Sequence, residues 1–336
     1  MAHMTNPLAT AAQLTDCCAR GARRLSPDLL DAVFFATQRL TQAAGLLLEL
    51  PQSTTAQANV LLARYWVAAP DFVWEEREEG ETGGVNNNKT EVADEYCHVS
   101  AAALYLVAKI GAHPRSARDV AHVYAYLRNS DNDDDNDKNN DNDNDDKPAF
   151  YLTDAAYNAF HTRVLAAEAH LLCALAFDTH VALPHPLAVT YLQALEVVGG
   201  AGNPAQRRRG TAVARRALAY LTTALLSPQL LYVTHQPHEL AVAAAYLAAR
   251  DPDVEDGGGE EGGAERVRLP DGPWWEVFDA DRETLGFLAV ALRSVAAWAA
   301  VQCAQTPALV FARHFVPTRA RVAAAQARQA VAEESG

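Results

Sequence analysis

Residues 97–110, CHVSAAALYLVAKI, are apolar on almost every helical face. No surface position suits such a helix, because an amphipathic helix keeps one polar side for water. It therefore predicts a multi-helix bundle that encloses the segment on all sides. Gly111 and Pro114 end it. No run alternates apolar and polar residues with period two, so the expected fold class is all-α.

Helical periodicity places the neighbours. Residues 27–50 carry Leu29, Leu30, Val33, Phe34, Leu40 and Leu47 at helical spacing and stop at Pro51. Helices are also expected over 54–68, with Thr54 or Thr55 as N-cap, over 115–128 and over 154–176. A second set follows at 186–197, 209–226, 237–249 and 282–305, with a short PWWEVF element at 273–278. The two sets read as an internal duplication of a five-helix unit. A weakly amphipathic Ala/Arg-rich helix is expected at 316–333. Residues 1–24 are expected to be flexible.

Two acidic tracts punctuate this pattern. Residues 131–147 hold nine Asp and two Lys, and residues 251–265 hold seven acids and no base. Each contributes −7, which accounts for the whole net charge of −14. Such tracts bury no apolar surface and are expected to be disordered loops. The expected boundaries are a first box over 25–182, with loops at 72–96 and 129–149, and a second box over 183–308, with an acidic loop at 251–270. A C-terminal helix lies within 309–336. Cys17, Cys18, Cys97, Cys173 and Cys303 are odd in number and scattered without a CxxC, which argues against a disulfide framework or zinc site and fits a reducing compartment. No signal peptide or uninterrupted apolar span of membrane length is read in the chain.

Several local sequences are more specific than composition. QAAGLLLELPQ (42–52), HVSAAALYLVAKI (98–110), PRSARDVAHVYAYLR (114–128), EAHLLCALAFDTHVALPHPLAVTYLQAL (168–195) and AVAAAYLAAR (241–250) all resemble cyclin L, a transcription- and splicing-linked branch of the cyclins. PWW at 273–275 resembles the same place in cyclins L, K and Q. The resemblance covers roughly residues 25–305. It implies tandem five-helix cyclin boxes with N- and C-terminal helices, and a nuclear, non-catalytic subunit that binds and activates a cyclin-dependent kinase. Ala58-Asn59-Val60-Leu61-Leu62 does not spell the MRAIL docking motif of cell-cycle cyclins. Cyclin L-type chains also commonly carry an Arg/Ser-rich tail, which residues 309–336 do not contain.

The resemblance implies kinase contact by Lys109, at the end of the third box helix, and Glu168, on the fifth. Tyr105, Leu165, Leu172 and Arg115 are expected beside them. A Lys and a Glu on adjacent helices can pair and offer charge-assisted hydrogen bonds to a partner's backbone. The match departs after Ile110, where cyclin L-type sequences commonly have two Glu and this chain has Gly111 and Ala112. That departure keeps open a second reading: a cyclin-fold scaffold that binds transcription or RNA-processing factors without activating a kinase.

No enzyme constellation assembles from the sequence. His235-Gln-Pro-His238-Glu239, and His180 with His185, lack helical ligand spacing, so no metal or other cofactor is expected. Gly199-Gly200-Ala201-Gly202 lacks the Lys-Ser/Thr of a phosphate loop. Arg207, Arg208, Arg209, Arg215 and Arg216 form a basic cluster without interleaved aromatics, so sequence-specific nucleic-acid binding is not expected. Trp274 and Trp275 read as burial anchors.

Overall fold

Prolines set several helix starts in the computed structural model, which describes residues 4–72, 95–129, 152–199, 204–251, 267, 269–305 and 316–334. Pro27 opens α2 (Pro27–Leu47), Pro184 opens α7 (Pro184–Ala194) and Pro237 opens α10 (Pro237–Arg250). Proline suits the first helical position because its missing N–H would have no partner there. The remaining helices are α1 (Ala11–Ala22), α3 (Gln52–Ala68), α4 (Glu95–Ile110), α5 (Ala117–Asn129), α6 (Asp154–Ala174), α8 (Pro204–Ala224), α9 (Leu231–Thr234), α11 (Arg282–Gln305) and α12 (Arg319–Glu334). Short 3₁₀ turns run over Pro70–Phe72 and Trp274–Phe278. There is no strand among the described residues. The expected loops at 72–96, 129–149 and 251–270 fall mostly outside them.

The chain divides into two units, Ala9–His180 with Ala300–Gly336, and Val181–Ala299 with Met1–Leu8. In the first, α4 packs against α2, α3, α5 and α6. Every residue from Tyr96 to Leu104 is buried. Its polar groups are satisfied internally. The Tyr124 and Ser100 hydroxyls lie 2.6 Å apart, and those of Ser100 and Thr41 lie 2.7 Å apart. Thr41 donates to the Thr37 carbonyl at 2.9 Å, so one proton direction serves the whole chain of hydroxyls. In the second unit α10 plays the same part: Leu240–Ala245 are all buried, against α7 and α8. Trp274 enters that core edge-on to Phe278, whose ring stacks on Tyr191 at 4.1 Å.

Among the described residues of the stretch 1–24, helix α1 and Asn6 carry hydrogen bonds to distant parts of the chain. Thr10 and Gln13 form a capping box at the start of α1. Arg20 then donates to the Ala68 and Val67 carbonyls at 2.6 and 3.1 Å, closing the C-terminus of α3. Upstream, the Asn6 side chain pairs with the backbone of Ala182 in both directions, at 2.9 and 2.8 Å. Gln236 does the same to the Asn6 backbone, at 3.0 and 3.1 Å. These partners lie more than 170 residues away in sequence, beyond any local pattern. Thr54 and Thr55 are not caps either. Helix α3 begins at Gln52 after Pro51, and both threonines are buried inside it. Helix α8 starts at Pro204, five residues earlier than its apolar period suggests.

By length and composition α11 could cross a membrane. Its Leu285, Leu288, Leu292 and Val295 are nevertheless buried within this chain. The C-terminal helix α12 packs on α2. Arg319 forms an ion pair with Asp71, donates to the Asp71 carbonyl at 2.7 Å and covers the Tyr96 ring at 4.4 Å.

Two outcomes test this packing. A Cβ on Gly45 of α2 would overlap the Thr55 side chain, coming within 2.8 Å of its methyl, whereas one on Gly286 of α11 meets nothing within 4 Å. Gly45→Ala is expected to destabilise by about 1–3 kcal/mol. Gly286→Ala is expected to stabilise by about 0.5–1 kcal/mol through helix propensity. Urea denaturation of both variants checks the pair.

The second outcome concerns His98, which is buried beside Phe160 at a ring distance of 5.2 Å. Burial, with a lesser contribution from Arg163 and Arg128, lowers its pKa to about 3. The unfolded imidazole takes up its proton near pH 6.5. Between about 6.5 and 3 the unfolded state therefore binds a proton that the folded state refuses, and stability falls as pH falls. His98→Met is expected to flatten that limb of the stability–pH profile. Parallel profiles for the two proteins would refute the assignment.

Candidate functional site

Helix α4 is enclosed until its last turn. There Tyr105 is half-buried, and Lys109 and Ile110 reach the surface. Lys109 also sits where the negative end of the helix dipole favours a cation. Helix α6 lies alongside, with Phe160, Val164, Ala167, Glu168 and Leu171 buried as an inward stripe. Glu168 is thus a carboxylate in an apolar stripe, and such a group requires a partner. Lys109 supplies it: the ammonium forms an ion pair with Glu168 and lies 5.1 Å from the Tyr105 ring centre. The pair is asymmetric, because the Lys109 side chain is 40% exposed and that of Glu168 only 7%.

Leu165 precedes Glu168 by three residues and Leu172 follows it by four, so both share its side of α6. Leu165 is exposed and Leu172 half-buried. The structure therefore brings Lys109, Glu168 and Tyr105 into contact, with the two leucines flanking Glu168 along α6. Arg115 is turned elsewhere. Its Nε donates to the Leu48 carbonyl at 2.8 Å and its Nη2 to that of Glu49 at 3.0 Å. It closes the C-terminus of α2, where Leu46 and Leu47 stand exposed.

Two further surface residues were not among those singled out in the sequence. Ile110 is 55% exposed and Phe177 69%. Phe177 follows α6 in a tight turn in which Ala176 and Phe177 both take left-handed φ, 49° and 63°. The Phe177 amide bonds to the Leu172 carbonyl at 2.9 Å, which holds the turn against the end of α6. A bulky residue in that conformation is uncommon. Nothing in the spelling of Phe177-Asp178 says that the ring faces outward.

The other residues read from sequence have structural partners. His235 stacks on Phe287 at 5.4 Å, and His238 Nε2 donates to the Asp279 carbonyl at 3.1 Å. Glu239 accepts the Gln236 amide at 2.6 Å in a helix cap. Arg216 donates to the carbonyls of Ala248 and Asp251 at 3.0 and 2.7 Å, closing α10. No group of three or more metal-ligating side chains occurs among the described residues. Cys17 and Cys97 are buried thiols, and burial raises the Cys17 pKa to about 11.

The asymmetry of the ion pair makes a prediction. Lys109→Met strands a buried carboxylate, whereas Glu168→Met leaves an ammonium that can reach water. Lys109→Met is expected to be the more damaging, by about 1–3 kcal/mol. The double variant should recover part of the loss, as expected when a buried pair is replaced by apolar groups. Denaturant midpoints of the three variants decide this; equal losses in the two single variants would contradict it.

No family model matches the chain. Curated relatives do. Cyclin-L2 of Mus musculus is 29% identical over 247 residues, 73% of this chain and 37% of the relative. Cyclin-L1 of Gallus gallus is 29% identical over 230 residues, 68% of this chain and 35% of the relative. The chain thus spans little more than a third of the length of these relatives. Among solved structures, a chain of the CAK complex from Chaetomium thermophilum bound to ATP-gamma-S aligns with a TM-score of 0.54 at 16% identity, over 94% of this chain and 84% of that one. A chain of the yeast RNA Pol II CTD kinase CTDK-1 complex aligns with a TM-score of 0.54 at 13% identity, over 97% and 84%. At such identities the structural likeness establishes the fold, and with the cyclin L relatives it makes the two helical units tandem cyclin boxes.

Proposed function

We propose that this cyclin L-like chain is the non-catalytic regulatory subunit of a cyclin-dependent kinase serving transcription and pre-mRNA splicing in the nucleus. The observation that carries the reading is the Lys109–Glu168 pair set in an exposed apolar rim. Ile110 adjoins the lysine, Leu165 lies one turn before the glutamate, and Phe177 is tied to the end of α6. A half-exposed ammonium can hydrogen-bond a partner's backbone while the exposed apolar side chains supply area to bury. Support comes from the cyclin L relatives and from the kinase complexes in which the same fold occurs.

The chemistry belongs to the partner. A cyclin-dependent kinase acts only when its αC helix is swung in, so that a Lys–Glu ion pair and the metal-binding Asp are both in place. A rigid helical surface that binds only the swung-in state shifts that equilibrium. Moving it from 1:99 to 99:1 takes about 5.5 kcal/mol of differential binding, within reach of an interface of standard size. Helix α4 suits this role because it is fixed on every side and presents Lys109 with little freedom.

Gly111 and Ala112, in place of the acidic pair of cyclin L-type chains, favour the second reading of a scaffold that binds without activating. Co-expression with transcription- and splicing-class kinases separates the two, with phosphorylation of a polymerase-tail or splicing-factor peptide as readout. Activation is expected, and Lys109→Ala with Glu168→Ala should weaken kinase binding at least tenfold, or about 1.4 kcal/mol. Stable binding with no rise in activity would select the scaffold. Unchanged binding by Leu165→Asp and Phe177→Asp would rule out this surface.

A further inference from the structure

Arg115 ties the segment that follows α4 to the end of α2, through its bonds to the Leu48 and Glu49 carbonyls at 2.8 and 3.0 Å. Those bonds bring two exposed apolar stretches to one end of the first unit. On α2, Leu46 is 78% exposed and Leu47 45%. After Lys109, Ile110 is 55% exposed, and Gly111, Ala112 and Pro114 are exposed as well. Residues 110–114 contain no carboxylate, and His113 is their only titratable side chain. Glu49 is exposed at the same place, but the Arg115 guanidinium lies against the Glu49 carbonyl, so the two add no net charge.

The backbone itself disfavours an acidic side chain at the start of this stretch. A Cβ on Gly111 would come within 2.9 Å of the Val107 carbonyl oxygen, so a glutamate there would have to shift the turn. At Ala112 a methyl group stands where cyclin L-type chains commonly have a carboxylate. Size points the same way. A stable, specific interface takes about 800 Å² from each partner, or roughly 20–30 residues. The Lys109–Glu168 pair with Tyr105, Leu165 and Leu172 is far smaller than that. The contact surface therefore has to continue, and contiguous exposed apolar side chains are where it can gain area. From Lys109 the chain runs directly into Ile110–Pro114.

We propose that the kinase-contact surface extends from Lys109 over Ile110–Pro114 to Leu46 and Leu47, and that it selects a kinase presenting an apolar face, not a basic one, opposite Ala112. This deepens the kinase reading above, on which it rests, by naming the chemistry of the partner's face. Against an apolar face, a charge of either sign at position 112 loses its water without gaining a counter-ion.

The test reads affinity on the full chain, with the kinase that binds it in the co-expression above as the probe, so the result does not depend on whether that kinase is activated. Ala112→Glu and Ala112→Lys should each weaken binding by about fivefold or more. Leu46→Lys with Leu47→Lys should weaken it by about tenfold or more. Lysine suits the last turn of a helix and both positions are exposed, so this variant should fold, which an unchanged Tm verifies. Tighter binding by Ala112→Glu would reveal a basic partner face, and tighter binding by Ala112→Lys an acidic one; either overturns the proposal. Unchanged affinity in any of these variants overturns it too. If Lys109→Ala with Glu168→Ala still weakens binding in that case, the kinase reading stands and only the extension falls. No kinase binding to the unaltered chain would overturn both.

Discussion

The enclosure of α4 is the constraint on which the first cyclin box depends. A helix buried along nine consecutive residues can tolerate polar groups only if they are satisfied inside. The hydroxyl chain from Tyr124 through Ser100 and Thr41 to the Thr37 carbonyl meets that condition and ties α5, α4 and α2 into one arrangement. The same principle joins α2 to α3, where buried Gln38 and Asn59 exchange hydrogen bonds with each other's backbones at 3.1 and 3.0 Å. Close packing then turns these contacts into position. A helix that cannot shift presents its last turn, with Lys109, at a fixed place.

Glu168 shows how such a core defines a surface. Its carboxylate lies on the inward stripe of α6, and Lys109 at the rim of the enclosure neutralises it. The lysine is therefore held by the fold and half-open to solvent at once. That combination suits recognition more than bulk stability, because an exposed lysine alone would be mobile and a fully buried pair would be unreachable. Ile110 beside the lysine and Leu165 one turn before the glutamate are exposed apolar side chains.

Backbone carbonyls at helix ends recur as the targets of arginine. Arg20 closes α3, Arg115 closes α2 and Arg216 closes α10, while Arg64 fixes the turn after α6. Each uses a long side chain to satisfy acceptors that helix geometry leaves open. Arg319 joins the C-terminal helix to Asp71 and Tyr96 by the same versatility, combining an ion pair, a carbonyl bond and a ring contact.

The sequence by itself determined that the chain is helical, that the segment around Ala101–Leu104 is enclosed, and that its local spellings resemble cyclin L. Periodicity and proline placement are local properties, so helices such as α4, α7 and α10 were legible to within a few residues. The pairing of Lys109 with Glu168 followed from the resemblance, and the burial that makes it asymmetric did not. Only the tertiary structure decided that Asn6 and α1 are anchored and that Arg115 serves the end of α2. Each depends on groups tens to hundreds of residues apart in the chain. A side chain's partner is set by which helices pack together, and no local pattern of residues encodes that.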